Sequence, residues 1–327
     1  VYIFDYNTLA DTWNQTAKLT ANDGFDNDQL GISVSIHSDT VVAGAHQDDD
    51  NGSGSGSAYV FKRTAGVWSQ EAKLISSDGF DNDWFGYSVS VHTDTALIGA
   101  QQDDTLTGSA YVFNRNAGTW QEQAKLTASD ASAGDFFGNS VSISGNTALV
   151  GAFSDDTVIG MNILDMGAAY VYARNTGGIW SEEAKLNASD AAQGDVFGSS
   201  VALSGDTALI GARGDDDNGN NSGSAYVFRD AFPADPTEWL DTDDDGTGDN
   251  MDTDDDNDGL LDLDEVTIHG TQPLLRDTDN DGYSDGYEVS AGSDPLDGLS
   301  IPLPDGDVNG DNLVDIADLL LAMRILT

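Results

Sequence analysis

A repeat of fifty to sixty residues runs through residues 1–230, and it constrains the fold more than any other feature of the chain. Its most regular mark is a Gly-Ala pair, which begins at Gly44, Gly99, Gly151 and Gly211, at spacings of 55, 52 and 60 residues. Each unit holds short runs rich in Val, Ile, Tyr, Phe and Ala, bounded by Gly, Asp, Asn or Ser, as strands joined by tight turns are. Four such strands per unit at this period predict the blades of a β-propeller.

The order of motifs within one unit assigns a place to each strand. A Phe-Gly pair at Phe85, Phe137 and Phe197 (Leu30 in the deviant copy) precedes an SVSI-like run. A two-residue turn such as Gly145-Asn146 and a TALVGA-like run follow, which predicts a hairpin. SAYVF and a Trp…AKL run complete the unit. The small residues after Phe-Gly suit an inner strand near the propeller axis, and the Trp…AKL strand suits the outer edge.

The order FGxSV, DTALIGA and GSAYVF resembles the FG-GAP repeat of the integrin α-chain propeller, of which bacterial extracellular proteins carry similar arrays. The resemblance implies that each blade begins at Phe-Gly and that such propellers usually close into a ring of seven blades. Three complete blades would then start at Leu30, Phe85 and Phe137, with two strands of a blade in residues 1–19 and three in 197–228. Either the array is part of a longer precursor, which we favour, or residues 1–19 pair with 197–228 in a four-bladed ring. Unclosed blade edges are expected to self-associate.

The charge of the chain excludes several classes of partner. Asp and Glu number 58 against 12 Lys and Arg, for a net charge of −46, so nucleic acid and anionic membrane surfaces are repelled. There is no Cys for a disulfide, a thiolate zinc site or a Cys nucleophile. No apolar run suits membrane insertion, and the opening VYIF does not resemble a signal peptide. Because so much negative charge needs cations, we expect an extracellular or cell-surface protein in a calcium-rich medium.

Acidic loops in the propeller leave two interpretations open. The DxDxDG-type calcium loop that integrin propellers hold between their first two strands does not carry over, because these hairpins are too short. Asp residues cluster instead after Gly-Ala, at Asp48–Asp50 and Asp215–Asp217. They are either solvated turns or weak calcium sites.

Residues 231–240 are predicted as a linker that contains Pro233 and Pro236, and calcium loops follow it. An EF-hand-type loop places oxygen ligands at positions 1, 3, 5, 7, 9 and 12, with Gly at position 6. DDDNDGLLDLDE and DTDNDGYSDGYE fit this pattern completely, with the backbone carbonyl serving at position 7. Carboxylates so concentrated repel one another without a divalent cation, and oxygen ligands in this number favour Ca²⁺. The predicted ligands are Asp254, Asp256, Asp258, Leu260, Asp262 and Glu265, and Asp277, Asp279, Asp281, Tyr283, Asp285 and Glu288.

A looser copy of the loop precedes these two. DTDDDGTGDNMD ends on Asp rather than Glu, and its predicted ligands are Asp241, Asp243, Asp245, Asp249 and Asp252. The run resembles the thrombospondin type 3 repeat without its Cys residues, as in bacterial relatives. The resemblance implies a calcium-rigidified stalk over residues 241–297. The alternative is a disordered acidic linker.

Residues 298–327 resemble one half of a type I dockerin, a calcium loop followed by a helix at residues 316–326. The implied ligands are Asp307, Asn309, Asp311, Leu313, Asp315 and Asp318. Asn312 replaces Gly at position 6, which is a mild departure because Asn tolerates the left-handed conformation. A dockerin has two halves, so a cohesin-like partner and a stray EF-like module are equally open.

No catalytic constellation is predicted, and we expect the protein not to be an enzyme. With no Cys and only four His, nucleophilic triads and zinc sites lack support. His37 and His92 are interpreted as turn residues. Arg213-Gly214-Asp215 spells the tripeptide that integrins bind, and we interpret the match as accidental. Trp84 has no Trp counterpart in the other units, and we expect it to be exposed.

The predicted fold class is therefore all-β: a partial array of FG-GAP propeller blades, a calcium-loop stalk, and a short EF-like loop and helix. The favoured function is an extracellular calcium-binding structural or adhesion protein, whose propeller loops bind a protein or polysaccharide ligand. The alternative is an accessory subunit of polysaccharide degradation, non-catalytic or hydrolytic, that docks through a dockerin-type C-terminus.

Overall fold

The computed structural model describes residues 1–159, 162–216, 219–231, 239–243, 245–300 and 302, with the backbone alone for 156–159 and 162–165. The chain forms two units, Val1–Trp239 and Leu240–Thr327. No helix in the described part is long and apolar enough to cross a membrane. The predicted dockerin-like segment lies outside the described residues.

Nineteen strands and a few helical turns make up the described structure. The strands are β1 Tyr2–Asn7, β2 Thr12–Lys18, β3 Val34–His37, β4 Thr40–Ala45, β5 Ser57–Thr64, β6 Val67–Leu74, β7 Ser88–His92, β8 Thr95–Ala100, β9 Ser109–Asn116, β10 Thr119–Leu126, β11 Ser140–Ser144, β12 Thr147–Ala152, β13 Asp156–Ile159, β14 Asn162–Asp165, β15 Ala168–Arg174, β16 Trp180–Leu186, β17 Phe197–Ser204, β18 Thr207–Ala212 and β19 Ser224–Arg229. The helices are α1 Asp103–Leu106, α2 Asp262–Asp264, a π-helical turn Glu265–His269, and α3 Asp285–Ala291.

Three antiparallel four-stranded sheets form the centre of the first unit, in the orders β3-β4-β5-β6, β7-β8-β9-β10 and β11-β12-β15-β16. In each, the strand after Phe-Gly lies at one edge and the Trp…AKL strand at the other. The all-β fold with blade-like sheets is confirmed. The hairpin β13-β14 is an addition within the third unit, and it accounts for that unit's longer spacing.

The described sheets do not form the four-bladed ring. β1 and β2 form a two-stranded sheet, and β17, β18 and β19 form a separate three-stranded sheet. Pairing of residues 1–19 with 197–228, the alternative to an open array, is therefore not what the structure has.

The Phe-Gly and Gly-Ala pairs meet at the three joints between the sheets that contain β4, β8, β12 and β18. A Cβ atom added to Gly44 would lie 1.8 Å from the carbonyl oxygen of Gly86, and one added to Gly99 would lie 2.0 Å from that of Gly138. Serine hydroxyls complete the joint, because Ser35 Oγ accepts a hydrogen bond from the Val91 amide at 3.0 Å. Ser90 and Ser142 do the same for Ile143 and Leu203. The strands after Phe-Gly are thus adjacent to one another, as inner strands of a propeller are.

Apolar side chains fill the spaces between neighbouring sheets rather than one central core. Phe85 is fully buried and packs edge-to-face on Tyr111 and Phe113. Trp120 is 9% exposed, and its Nε1 donates to Glu71 of the preceding sheet at 3.0 Å. The repeat thus places its largest residues at the joints, where their burial stabilises the array.

Candidate metal sites

Three aspartate triads converge in the second unit. Each residue of a triad offers one carboxylate oxygen, and these oxygens lie within 4.8 Å of one another. The triads occupy positions 1, 3 and 5 of the three predicted loops: Asp241, Asp243 and Asp245; Asp254, Asp256 and Asp258; and Asp277, Asp279 and Asp281.

The loop backbone holds each triad in place. In the third loop the Asp281 amide donates to Oδ1 of both Asp277 and Asp279 at 3.2 Å. The Gly282 amide donates to Oδ2 of Asp277 at 2.7 Å, and the Tyr283 amide donates to Asp281. The first loop repeats all of these bonds, and the second repeats those from positions 5 and 7.

Backbone conformation explains the glycine at position 6. Gly246, Gly259 and Gly282 have φ values of 93°, 100° and 98°, which L-residues with a Cβ rarely adopt. Asn257 and Asn280 at position 4 are also left-handed, with φ of 53° and 59°, as Asn tolerates. The sequence pattern therefore fixes the turn that brings positions 1, 3 and 5 together.

The second and third loops contain buried carboxylate oxygens without a donor. Asp256 Oδ2, Asp279 Oδ2, Asp281 Oδ2, Glu265 Oε2 and both carboxylate oxygens of Glu288 are buried with no hydrogen-bond partner among the described residues. Such groups are costly unless a cation or proton satisfies them. The donor set thus fits a cation.

The two position-12 glutamates interact electrostatically with the carboxylates of their own triads. Glu265 and Glu288 are both fully buried. Burial, followed by the charge of Asp256, raises the pKa of Glu265 to about 7. Burial raises the pKa of Glu288 to about 7 as well, with smaller contributions from Asp281 and Asp279. Each glutamate therefore shares the electrostatic field of its own triad.

The position-9 aspartates brace the loops. Oδ1 of Asp285 accepts from the Thr278 amide at 3.0 Å, and its Oδ2 accepts from the Thr278 hydroxyl at 2.7 Å. Asp249 makes the same pair of bonds to Thr242, and Asp262 accepts from the Asp255 amide. Because these oxygens hold position 2 of each loop, we assign Asp249, Asp262 and Asp285 a bracing role, with contact to an ion through water, as position 9 often has.

Contacts between successive loops were not predicted from the sequence. The Gly286 amide donates to Asp258 Oδ2 at 2.6 Å, and a Cβ on Gly286 would lie 2.4 Å from the Asp258 carbonyl oxygen. The Asn257 side chain donates to Asp243 of the first loop. Asp255 was also missed: burial, followed by Asp262, raises its pKa to about 7. Asp255 lies at position 2, between two ligand positions, and the loop pattern assigns no role to that position.

The predicted ligands differ in where the structure places them. The residues of each triad come together, whereas Glu265 and Glu288 are buried outside these clusters, and Leu260 and Tyr283 lie at position 7 of their loops. Asp252 donates no oxygen to a described metal cluster; its Oδ1 accepts from the Thr253 and Asp254 amides. The dockerin-like ligands Asp307, Asn309, Asp311, Leu313, Asp315 and Asp318 lie outside the described residues. A set of oxygen ligands in this number suits a hard cation, Ca²⁺ rather than Mg²⁺, which when bound would neutralise the converging carboxylates.

In the first unit, a lysine lies where one interpretation of the acidic loops places a calcium ion. Asp48 is buried, and Lys73 Nζ lies 2.8 Å from its Oδ2, which also accepts from the hydroxyls of Ser57 and Tyr59 at 2.8 Å. Neither interpretation of Asp48, a solvated turn or a weak calcium site, describes this arrangement. Asp217 of the second acidic run lies outside the described residues.

This lysine cage recurs in every complete sheet. Lys125 contacts Asp103 and Asp78, and Lys185 contacts Asp155 and Asp130. In each case the ammonium lies over the ring of the tyrosine of SAYVF or its variant, at 5.1 to 5.5 Å from the centroid. The AKL lysine, interpreted as an edge residue, thus balances buried negative charge.

The remaining single-residue predictions have mixed outcomes. His37 and His92 are not turn residues: each ends a strand, their ring centroids lie 4.6 Å apart, and His92 Nδ1 accepts from the Gly145 amide. Asp215 of the Arg-Gly-Asp tripeptide is buried, and its Oδ2 accepts from the Tyr226 hydroxyl, which agrees with an accidental match. Trp84 is half-buried rather than exposed.

Comparison with known proteins identifies both repeats. The model of the FG-GAP repeat matches residues 13–61, 68–113, 120–172 and 180–228. The model of the bacterial TSP3 repeat matches residues 254–275 and 277–298, which hold the second and third loops. No curated protein matches the chain. Repeats of both kinds are typical of extracellular proteins, and TSP3 repeats are of the calcium-binding type. The integrin-like, EF-hand and dockerin resemblances stay predictions.

Proposed function

The chain belongs to the FG-GAP repeat family, and from that premise we propose that it is an extracellular structural or adhesion protein. In this proposal the FG-GAP sheets are a binding module, and the TSP3 loops become rigid when they bind calcium. The proposal includes no catalytic residue. The observation that carries it is the set of buried, donor-free carboxylate oxygens around the aspartate triads, because these loops need a cation to hold their geometry.

The alternative function, an accessory role in polysaccharide breakdown, shares the binding module and differs in its C-terminal partner. A cohesin-like partner would need the ligands of residues 298–327, for which the sequence supplies one half-site. A groove in the first unit, lined by aromatic rings and side-chain amides, favours a saccharide ligand in either function.

Calcium titration of the full chain by calorimetry tests the proposed function. We expect several Ca²⁺ ions to bind, with affinities of about 10⁻⁴ to 10⁻³ M or tighter. Glu288→Gln should remove one site, since it takes a charged, bidentate ligand from the third loop. Asp264→Asn, which removes one charge from a residue that is not a predicted ligand, is the matched control and should leave the stoichiometry unchanged.

Proteolysis gives a second measurement on the same protein. EGTA should increase cleavage within residues 240–300 and leave residues 1–231 as resistant as before, because the lysine cages and apolar joints of the first unit hold without metal. If EGTA changes neither the cleavage pattern nor the thermal stability, the calcium-dependent stalk is wrong.

A further inference from the structure

A groove with a volume of about 510 Å³ opens on the first unit, where the second, third and last sheets approach one another. Its lining includes Trp84, Tyr87, Phe136, Phe153 and Asn139. This volume lies within the range of small-molecule sites. Neither the family models nor the calcium loops account for the groove.

Most of the lining comes from three equivalent positions of the second, third and last repeats, although Val196 of the last repeat is not part of it. One directly precedes Phe-Gly, one directly follows it, and one directly follows Gly-Ala. The flanking motifs are fixed by the glycine joints, whereas these positions differ from repeat to repeat. Residues before Phe-Gly are Gln29, Trp84, Phe136 and Val196. The joint therefore sets where these side chains lie and leaves their chemistry open.

The position before Phe-Gly is strained in every repeat. Trp84 has φ of 60° and Phe136 has φ of 56°, as Gln29 and Val196 have 57° and 59°. Positive φ is unfavourable for bulky side chains, and Asn or Gly would relieve it. Strained residues of this kind occur preferentially at binding sites. Because Gln and Val hold the same position elsewhere, the backbone does not require an aromatic residue there.

Aromatic rings are paired along the groove. Trp84 and Tyr87 stack with centroids 5.9 Å apart and an angle of 16°, and Phe136 and Phe153 stack at 5.1 Å and 9°. Behind the first pair, the buried His46 packs edge-on against both rings. The pairs are thus fixed in orientation, and each has π-faces that carry partial negative charge.

The polar lining is neutral, apart from one arginine. Within the described part of the chain, none of the ten residues that line the groove is acidic, although the protein has 58 Asp and Glu residues. Gln101, Gln102 and Asn139 contribute amides and Arg213 a guanidinium. Asn139 Nδ2 donates to two backbone carbonyls, and its Oδ1 is buried with no partner among the described residues. The half-buried amide of Gln102 can both donate to and accept from hydroxyl groups.

We propose that this groove binds the pyranose rings of a saccharide chain, an inference that rests on the proposed role of the FG-GAP unit as a binding module. The C–H faces of a pyranose ring carry partial positive charge and pack on the π-faces of Trp84 and Phe136. Its hydroxyl groups bond to the side-chain amide of Gln102. A peptide ligand is less favoured, because the groove has neither an exposed sheet edge nor a carboxylate among its described lining residues.

Calorimetry of the full, calcium-loaded chain with defined probes tests the proposal. The neutral probes are cellohexaose and laminarihexaose, the uronate probe is hexaguluronate, and a tryptophan-bearing peptide represents a protein ligand. We expect at least one saccharide to bind. Trp84→Ala should weaken this binding about tenfold or more, since a lost ring contact of about 1.4 kcal/mol corresponds to that factor.

Matched variants separate binding from folding. Trp13→Ala, which removes a 69% exposed Trp outside the groove lining, should leave binding unchanged. Gln102→Glu, which keeps the shape but adds a charge, should abolish uronate binding and weaken neutral binding. Arg213→Gln should weaken uronate binding alone, which distinguishes a uronate ligand from a neutral saccharide.

Two results would overturn the proposal: binding of no saccharide at concentrations up to about 10 mM, or binding of the peptide alone. Neither result would affect the calcium stoichiometry, which tests the proposed function separately.

Discussion

At the scale of the residue, the lysine of AKL has the most consequential environment in the first unit. Lys125 lies 2.9 Å from the buried Asp103 and 2.8 Å from Asp78. Burial alone would lower the pKa of Lys125, but hydrogen bonds to Asp103, Asp78 and Asp104 raise it. The lysine therefore stays charged and neutralises a carboxylate that water does not reach.

Removing this lysine should destabilise the protein. Lys125→Met keeps the apolar stem but leaves Asp103 buried and unpaired, so we expect a loss of about 3 kcal/mol in the free energy of unfolding, measured by urea denaturation. Lys18→Met is the matched control, because Lys18 holds the same motif position in the exposed strand β2 and should cost less than about 0.5 kcal/mol. Equal effects of the two substitutions would show that the cage does not stabilise the fold.

The sequence predicted some single residues and could not predict others. Gly282 follows from local backbone conformation, which a loop pattern encodes directly. The pairing of Lys73 with Asp48 joins a residue of strand β6 to a residue of the loop after β4, and no spacing rule reports it. The groove residues Trp84 and Phe136 could have been found as variable positions beside the fixed Phe-Gly pair. That signal marks the positions, but only the structure shows that their side chains line one groove.

At the scale of the element, the calcium loops combine a rigid backbone with carboxylates that repel one another. Burial, followed by neighbouring carboxylates, raises the pKa of Asp256 to about 7, as for Glu265 and Asp255. In the calcium-free protein the folded loops therefore bind more protons than the unfolded chain between about pH 4 and pH 7. The loop pattern predicted the triads, but not the bracing by Asp285 or the contact of Gly286 with Asp258.

We therefore expect opposite pH dependences with and without calcium. In EGTA, protection of residues 240–300 from hydrogen exchange should fall as the pH rises from about 5 to 8, because the raised pKa values contribute stability only while the groups are protonated. With saturating Ca²⁺ the protection should rise over the same range, since protons compete with the ion. A calcium-free protein that becomes more protected as the pH rises would contradict the assigned carboxylate environments.

At the scale of the whole molecule, the first unit exposes at its ends the faces that its interior joints bury. Tyr2 and Phe4 are 55% and 52% exposed, whereas their counterparts Tyr59 and Phe61 are 0% and 2% exposed. An apolar cavity of about 210 Å³ lies between β1 and β3, lined by residues that include Ile3, Val34 and Ile36. The strands at these faces are the unclosed edges from which the sequence predicted self-association.

Self-association through these faces should depend on concentration. Light scattering after size-exclusion chromatography should show oligomers that dissociate on dilution, because exposed apolar sheet faces and edges recruit further strands. Tyr2→Lys combined with Phe4→Lys should reduce the association, whereas Phe25→Lys, at a residue 79% exposed in a loop, should not. A protein that stays monomeric at every concentration would contradict this prediction.

The glycine and serine contacts between sheets are the same at each joint of the first unit. Gly44, Gly99 and Gly151 each meet the Phe-Gly glycine of the next sheet, and at each of these joints a serine hydroxyl accepts from an amide of the next strand. Each repeat therefore contributes one surface that fits the repeat before it and one that fits the repeat after it. A tandem duplication in the gene would insert a sheet whose two surfaces already match its neighbours. A duplication of part of a repeat would break the match, so unequal recombination can change the copy number only in whole units.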